Sequence, residues 1–250
     1  MEPISYLTEA ARVVQTLQEE GSRIRAVAEK AAETIASGHW VRLFGSGHSV
    51  LPVQDTFPRY GGYVGFYPIM DPRLMWTTVS GPGGAEELLW LERQENYIGK
   101  VFLRHNEWDA RDMLIVVSHG GQNAAPVEMA LAAKEAGLFV VAVTSEQNHK
   151  EKPAIHSSGK KIGDIADITI FNGVSSEDAV ISVPGVSGKV GGVSTLAAIA
   201  IMQAIVSETA IDLARRGHHV QPFAAPNVEG VSPRNNEEVY EEFRRRLRRA

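Results

Sequence analysis

Apolar residues along the chain follow two alternating patterns: short runs rich in Val, Ile or Phe, and longer segments with helical spacing. The short runs have the length of strands and occupy residues 40–44, 63–70, 113–117, 138–144 and 168–171. The helical segments occupy residues 4–20, 22–37, 49–56, 85–98, 123–136 and 193–216. Strands that alternate with helices are typical of a parallel sheet covered on both faces, so we expect an α/β fold, a three-layer α/β/α sandwich.

The five predicted strands fit a parallel sheet of flavodoxin-like order 2-1-3-4-5. In such a sheet, ligands bind at the carboxyl ends of the strands where the order reverses, here between the first and third strands. We expect one domain over residues 1–235, with N-terminal helices within 1–38 and a long apolar helix near its end.

Residues 236–250 differ in composition from the rest of the chain, because four glutamates there precede five arginines. Acidic residues at the start of a helix and basic residues at its end suit the helix dipole. We therefore predict a charged, solvated C-terminal helix rather than an arm for nucleic acid.

The overall composition narrows the classes of function. A net charge of -5 over 250 residues argues against a protein that binds nucleic acid. The longest apolar run, residues 196–206, is too short to span a membrane, so we expect no membrane partner. The chain has no cysteine and no His-Glu-x-x-His pattern, and we expect neither a metal nor an organic cofactor. The expected location is the cytoplasm.

Two polar, glycine-rich loops follow the first and third predicted strands. Ser49 and Asn123 are placed to cap the helices that come after them. Backbone N–H groups, hydroxyls and helix N-termini would then converge on an anion. The candidate ligand-binding residues are Gly45, Ser46, Gly47, His48 and Ser49 in the first loop and Ser118, His119, Gly120, Gly121, Gln122 and Asn123 in the second.

Other interpretations of these loops fit less well. A dinucleotide fingerprint would need a third glycine where Val50 stands, and a phosphate-binding P-loop would need Ser or Thr where Val190 follows Gly188-Lys189. A serine-hydrolase nucleophile turn would need glycine where Leu51 stands.

Proton transfer next to an anion site needs a carboxylate or an imidazole held out of bulk water. Glu92, flanked by Leu91 and Arg93 on the helical segment after the second strand, is the first candidate base. Asp55, after the first loop, is the second. His156, in a polar stretch after the fourth strand, is a third candidate, although a structural hydrogen bond explains a single histidine equally well.

With both loops placed, the sequence resembles the SIS (sugar isomerase) domain family over roughly residues 6–228. Family members bind phosphosugars with a Gly-x-Gly-x-Ser turn, matched here by Gly45, Gly47 and Ser49. Their second turn is Ser-x-Ser-Gly-x-Thr/Ser/Asn. Ser118, Gly121 and Asn123 match it, but Gly120 stands where the second serine is expected.

Within the family, the chain looks most like a branch near phosphoheptose isomerase and N-acetylmuramic acid 6-phosphate etherase. Where that branch has two glutamates after the first loop, this chain has Gln54 and Asp55. The zinc-binding His-x-x-x-Glu of phosphoheptose isomerase has no counterpart between Ser49 and Tyr60, so its metal is not carried over.

The resemblance implies that a base removes a proton beside a carbonyl to give an enediolate. Aldose–ketose isomerisation of a sugar phosphate is the first expectation, an etherase or lyase the second, and a non-catalytic protein that binds a sugar phosphate or a neutral sugar the third. The resemblance also implies a homodimer or homotetramer, and places Ser194 and Thr195 near the phosphate.

Overall fold

The computed structural model describes residues 4–106 and 108–248. Residues 1–3 of the expected domain and 249–250 of the expected C-terminal helix lie outside this part of the chain. The helices are α1 (Ser5–Thr16), α2 (Gly21–Ala36), α3 (Val50–Gln54), α4 (Ala85–Leu91), α5 (Ala124–Glu135), α6 (Glu146–Glu151), α7 (Ile162–Ile165), α8 (Ser194–Arg215) and α9 (Asn235–Leu247). The strands are β1 (Val41–Gly45), β2 (Phe66–Ile69), β3 (Met113–Val117), β4 (Phe139–Thr144), β5 (Ile168–Phe171), β6 (Ala179–Ser182) and β7 (Lys189–Gly192).

The first five strands form one parallel sheet of order β2-β1-β3-β4-β5, which confirms the predicted fold class and strand order. The register pairs Gly45, the last residue of β1, with Val117, the last residue of β3. Since both strands run in the same direction, the loops that follow them leave the same edge of the sheet side by side.

Alternate residues of the central strands enter two separate hydrophobic cores, one on each face of the sheet. Leu43, Ile115 and Val141 pack with α1, α2, α8 and α9 on one face. Phe44, Val116 and Val140 pack with α4, α5 and α7 on the other. Near-continuous apolar strands are the consequence of this burial on both faces.

Helix α8 meets the length and hydropathy criteria for a membrane span, with a mean hydropathy of 1.6. Its inward residues, among them Ala197, Ile201 and Ile205, are fully buried against α2 and the sheet. The helix therefore belongs to the core of the α/β fold, as its apolar sequence predicts.

One expected helix is interrupted. The segment predicted to be helical over 85–98 is α4 only as far as Leu91, and a π-helical turn, Tyr97–Phe102, follows it. Asn96 between them has a left-handed φ of 70°, and the Glu128 carboxylate accepts hydrogen bonds from the backbone N–H groups of Asn96 and Ile98. Glu92 consequently stands at the end of a helix and not within one.

The C-terminal helix is not simply solvated. Val239 is buried, and the Phe243 ring lies 5.3 Å from those of Trp40 and Phe57. Arg246 lies over the Trp40 ring at 5.3 Å. The expectation of a solvated helix is wrong for this face, because residues 239 and 243, four apart, lie on the same side of the helix and cover the sheet domain.

We predict that Phe243→Ala lowers the free energy of unfolding by about 2 kcal/mol, since a half-buried phenylalanine loses part of the 3–5 kcal/mol typical of full burial. Leu247→Ala removes an exposed side chain of the same helix and should cost about 0.5 kcal/mol or less. Urea unfolding measures both. Equal effects of the two substitutions would contradict the packing of α9.

Candidate functional site

The first loop turns sharply because its glycines allow it. A Cβ on Gly45 would collide with the carbonyl oxygen of Ser49, and Gly47 has a left-handed φ of 60°. A short 3-10 turn, Gly47–Ser49, leads directly into α3. The hydroxyl of Ser46 is thereby held at the edge of the sheet, with the residue 9% exposed.

The second loop is fixed by Gly121. Its φ is 68°, and a Cβ there would lie 2.7 Å from the hydroxyl oxygen of Thr144. The Gly121 N–H donates to the hydroxyl of Ser118 at 3.1 Å. Asn123 occupies the N-cap position of α5, but no side-chain cap bond forms there.

The carboxylate of Glu92 lies between the two loops. The Ser46 hydroxyl donates to its Oε2 at 2.9 Å, and the Asn123 side-chain amide donates to its Oε1 at 2.8 Å. The half-exposed Arg93 guanidinium lies 3.2 Å from Oε1. The structure thus brings together three of the residues predicted from sequence, one from each loop and the first candidate base.

Glu92 is only 6% exposed. Burial raises the pKa of its carboxyl above the ordinary value, although the Ser46 hydroxyl and the charge of Arg93 act in the opposite direction. A carboxylate in this state can accept a proton from carbon, because it is held out of bulk water and its basicity is increased.

A second part of the site is a cavity of about 180 Å³ on the other side of the first loop. His48, Ser49, Ser194 and Thr195 line it, together with His119, Asn172 and Asp178. Burial lowers the pKa of the His119 imidazole, and the nearby Asp178 carboxylate opposes this shift. The ring of His48 also packs against the ring of Trp76, with 4.7 Å between the ring centroids.

The other two candidate bases lie apart from Glu92. Asp55 pairs with Arg59 and accepts a hydrogen bond from the Gln203 side chain at 2.9 Å, beside α8. His156 Nε2 lies 3.9 Å from a Glu95 oxygen and 3.8 Å from a Glu128 oxygen. Neither side chain forms a hydrogen bond with the two loops or with Glu92 in the part of the chain that the structure describes.

The sequence profile of the SIS domain family matches residues 5–145, more than half of the chain. The chain belongs to the SIS domain family. UPF0309 protein BH0227 of Halalkalibacterium halodurans is 34% identical over 244 residues, which cover 97% of this chain and 95% of the relative. UPF0309 protein GK1441 of Geobacillus kaustophilus is 32% identical over 231 residues, 92% of this chain and 89% of the relative.

Solved structures with a similar chain trace include the sugar isomerase domain of an RpiR transcription factor from Sphaerobacter thermophilus. It has a TM-score of 0.47 and 16% identity, and the match covers 86% of this chain and 92% of that one. Protein MJ1247 of Methanococcus jannaschii, for which a 3-hexulose-6-phosphate isomerase function has been inferred, has a TM-score of 0.47 and 12% identity. The match covers 86% of this chain and 93% of that one. Likeness at this level says nothing about the substrate or reaction of this SIS protein.

In this SIS domain, the start of α8 already holds an anionic group. Asp178 Oδ1 accepts hydrogen bonds from the backbone N–H groups of Val193 and Ser194, at 3.0 and 2.7 Å. The Asp178 carboxylate thus takes up two backbone N–H groups at the helix start that carries Ser194 and Thr195. At the start of α5 the Glu92 carboxylate accepts from the side chain of Asn123, and the backbone N–H groups of Gln122 and Asn123 form no hydrogen bond among the described residues.

Sequence reasoning missed Asp178 because it lies ahead of the exposed hairpin β6–β7, whose strands show no hydrophobic alternation. It also gave no role to Asn172, which follows β5 at the same edge of the sheet. The position of Asn172 after a strand was the one signal available. Within residues 4–106 and 108–248, no group of three or more His, Asp or Glu residues is arranged to hold a metal ion.

The raised pKa of Glu92 gives a prediction about stability. A carboxyl whose pKa is higher in the folded state than in the unfolded state contributes stability at low pH, which is lost as the pH rises through the folded-state value. Relative to Glu92→Gln, the free energy of unfolding of the wild type should therefore fall as the pH rises from the ordinary glutamate value of 4.5. Urea unfolding at a series of pH values measures the difference.

Glu95→Gln is the matched control, because hydrogen bonds from Ser157 lower the pKa of the Glu95 carboxyl. The stability that the Glu95 carboxylate contributes is lost as the pH falls. The free energy of unfolding of the wild type relative to Glu95→Gln should therefore rise with pH, opposite to the result for Glu92→Gln. The same sign for both variants would contradict the environment described for Glu92.

Proposed function

We propose that this SIS protein is an enzyme of sugar-phosphate metabolism and most specifically an aldose–ketose isomerase. The observation that supports this is the buried Glu92 carboxylate, held by one donor from each of the two glycine-rich loops. In the proposed reaction Glu92 removes the proton from the carbon beside the substrate carbonyl. It then returns that proton to the neighbouring carbon of the enediolate.

The proposed phosphate site lies at the N-terminus of α5. Asn123 donates its side-chain amide to Glu92, so the helix has no side-chain cap. Among the hydrogen bonds of residues 4–106 and 108–248, none uses the backbone N–H groups of Gln122 and Asn123. Free N–H groups at a helix N-terminus bind anions well, and Arg93 supplies a positive charge nearby.

The second candidate is a non-catalytic protein that binds a sugar phosphate or a neutral sugar, and the same arrangement of donors supports it. The Ser46 hydroxyl is used by Glu92, and Gly120 provides no hydroxyl, so two side-chain donors expected for phosphate are missing. Thermal shifts with sugar phosphates beside their unphosphorylated parents distinguish the candidates. An etherase or lyase would share the first proton transfer, but a leaving group would then depart from the intermediate instead of a proton returning to the neighbouring carbon.

The proposed assembly is a homodimer or homotetramer that acts in the cytoplasm. Exposed apolar side chains on α1 and α8, among them Leu7, Val14 and Ile211, support an interface between copies. A phosphorylated substrate would be confined to the compartment in which it is made, since its charge opposes passage through a bilayer.

We expect Glu92→Gln to lower kcat by about 10²–10⁴-fold, because the variant keeps the shape of the side chain and loses the base. The exchange of the substrate's C2 hydrogen with solvent deuterium, followed by proton NMR, measures the step directly. Asp55→Asn is the comparison variant and should keep its activity. Full exchange by Glu92→Gln, or its loss in Asp55→Asn, would contradict the assignment of the base.

Gly120→Ser should strengthen binding of a sugar phosphate by about tenfold, since one hydrogen bond to a charged group contributes about 1.5 kcal/mol. A Cβ at this position meets nothing within 4 Å, so the fold should accept it. Gly121→Ser is the control and should destabilise the protein by more than about 1 kcal/mol, because φ is positive and Thr144 is close. Calorimetric titration and thermal unfolding measure the two effects. Unchanged affinity in Gly120→Ser would place the phosphate elsewhere.

A further inference from the structure

We propose that Arg93 is a positioning residue of the proposed reaction, which contacts the Glu92 carboxylate in the free protein and turns to the phosphate of a bound substrate. The arrival of the substrate thereby releases the base from its positively charged partner. This inference rests on the proposed function and deepens it, because it assigns a coupling between anion binding and proton transfer at the same site.

The Arg93 guanidinium and the Asn123 amide contact the same oxygen of Glu92. Arg93 Nη1 lies 3.2 Å from Oε1, and Asn123 Nδ2 lies 2.8 Å from it. Among the hydrogen bonds of the described residues, Oε2 accepts only from the Ser46 hydroxyl. If the guanidinium leaves, one neutral donor remains on each oxygen, so the carboxylate keeps its orientation.

The two members of this ion pair differ in their freedom to move. The side chain of Glu92 is 8% exposed, whereas that of Arg93 is 49% exposed. The guanidinium also donates to the carbonyl of Leu89, four residues earlier on α4. An ion pair with a half-exposed arginine contributes little to stability, because water competes for the guanidinium. Arg93 can therefore leave Glu92 at small cost.

The backbone at Glu92 lies beside the first turn of α5. Its carbonyl accepts a hydrogen bond from the N–H of Ala125 at 3.0 Å. The N–H groups of Gln122 and Asn123, just before this turn, form no hydrogen bond among the described residues. Asn123 in turn shares its Glu92 oxygen with Arg93. The guanidinium therefore stands next to the place at which we propose that the phosphate binds.

Other side chains near the two loops offer the phosphate little. The Ser46 hydroxyl is given to Glu92, and Gly120 has no hydroxyl. The amine of Lys161, beside the second loop, donates to backbone carbonyls at the end of α6. Arg93 is thus the cation that remains for the phosphate among these residues. A phosphate carries more charge than a carboxylate, and its oxygens match the N–H groups of a guanidinium.

The exchange of partners changes the basicity of Glu92. Burial raises the pKa of its carboxyl, while the Ser46 hydroxyl and the charge of Arg93 lower it. Arg93 is the charged group that acts on this carboxyl among the described residues. When the guanidinium turns away and a negative phosphate arrives, both changes raise the pKa of Glu92 further. The base is therefore strengthened when a substrate is present.

The first test follows the Glu92 carboxyl by ¹³C NMR of glutamate-labelled protein, with Glu92→Gln to assign its signal. Inorganic sulfate is the probe, because it does not titrate near neutral pH. We expect saturating sulfate to raise the pKa of Glu92 in the wild type. Arg93→Gln should raise this pKa without sulfate, and sulfate should then add less than in the wild type.

Three results of this titration would overturn the proposal. They are a Glu92 pKa that Arg93→Gln leaves unchanged, a wild type in which sulfate does not raise it, and an equal effect of sulfate in both proteins. The half-exposed position of Arg93 predicts that Arg93→Gln folds, and its melting temperature checks this. Should it not fold, the effect of sulfate on the wild type and on Arg93→Lys still decides.

The second test compares pH profiles of turnover. The profile of kcat/KM reports the free enzyme, and that of kcat reports the complex with substrate. In the wild type the acid limb of kcat should lie at higher pH than that of kcat/KM, and in Arg93→Gln this separation should narrow. KM should rise about tenfold in the variant, since a hydrogen bond to a charged group contributes about 1.5 kcal/mol. An unchanged separation would contradict the coupling.

Two further variants control these measurements. Arg93→Lys keeps the positive charge and should retain most of the separation between the limbs. Arg59→Gln removes an arginine of similar side-chain exposure, 44%, which pairs with Asp55. It should leave both the Glu92 titration and the profiles unchanged. The second ionisation of the substrate phosphate affects all variants alike, so the comparison is made between them. Equal effects of Arg59→Gln and Arg93→Gln would overturn the proposal.

The two hypotheses fail in different ways. A wild type that neither binds nor isomerises sugar phosphates would overturn the proposed function, and this inference with it. A wild type that isomerises them, but whose Glu92 titration is the same in Arg93→Gln, would overturn the role of Arg93 alone.

Discussion

The hydrogen bonds that hold the Glu92 carboxylate link the elements of the site. Ser46 belongs to the turn after β1 and Asn123 to the turn after β3. The Glu92 side chain therefore joins the two loops that leave the carboxyl ends of these neighbouring strands. The backbone of Glu92 adds a further contact, since its carbonyl accepts from the N–H of Ala125 at 3.0 Å. Without the parallel register and without Gly45, the two donors would not face the same carboxylate.

Two electrostatic effects on the Glu92 carboxylate oppose each other in this arrangement. Removing a carboxylate from water is costly, and two neutral donors with one half-exposed guanidinium offset only part of that cost. The result is a raised pKa, which suits a base for carbon acids. The Asp178 carboxylate is held by different donors, the backbone N–H groups at the start of α8. The two acids therefore occupy opposite halves of the site, Glu92 beside the start of α5 and Asp178 at the start of α8.

The hydrophobic pattern was sufficient to predict a parallel sheet, because strands buried on both faces produce apolar runs, and the order 2-1-3-4-5 is one of the common orders of such sheets. Glu92 was also predictable, as an acid beside apolar residues near two loops. Its hydrogen bonds to Ser46 and Asn123 were not, because they depend on how two loops that are distant in sequence pack against the end of α4 at Leu91. Val239 and Phe243 carried a helical signal for packing, but the surrounding charges concealed it. Asp178 had no local signal, since its position depends on the hairpin that follows.

The distribution of donors has a consequence for how this site would recognise its ligand. Ser46 cannot give its one proton to both Glu92 and a phosphate, and Gly120 has no hydroxyl to give. Ser118 accepts from the Gly121 N–H, so its oxygen helps to shape the second loop. Recognition of an anion would therefore depend on main-chain N–H groups, whose positions are set by the fold. The Ser46 and Asn123 side chains then serve to hold the Glu92 carboxylate, the base of the proposed reaction.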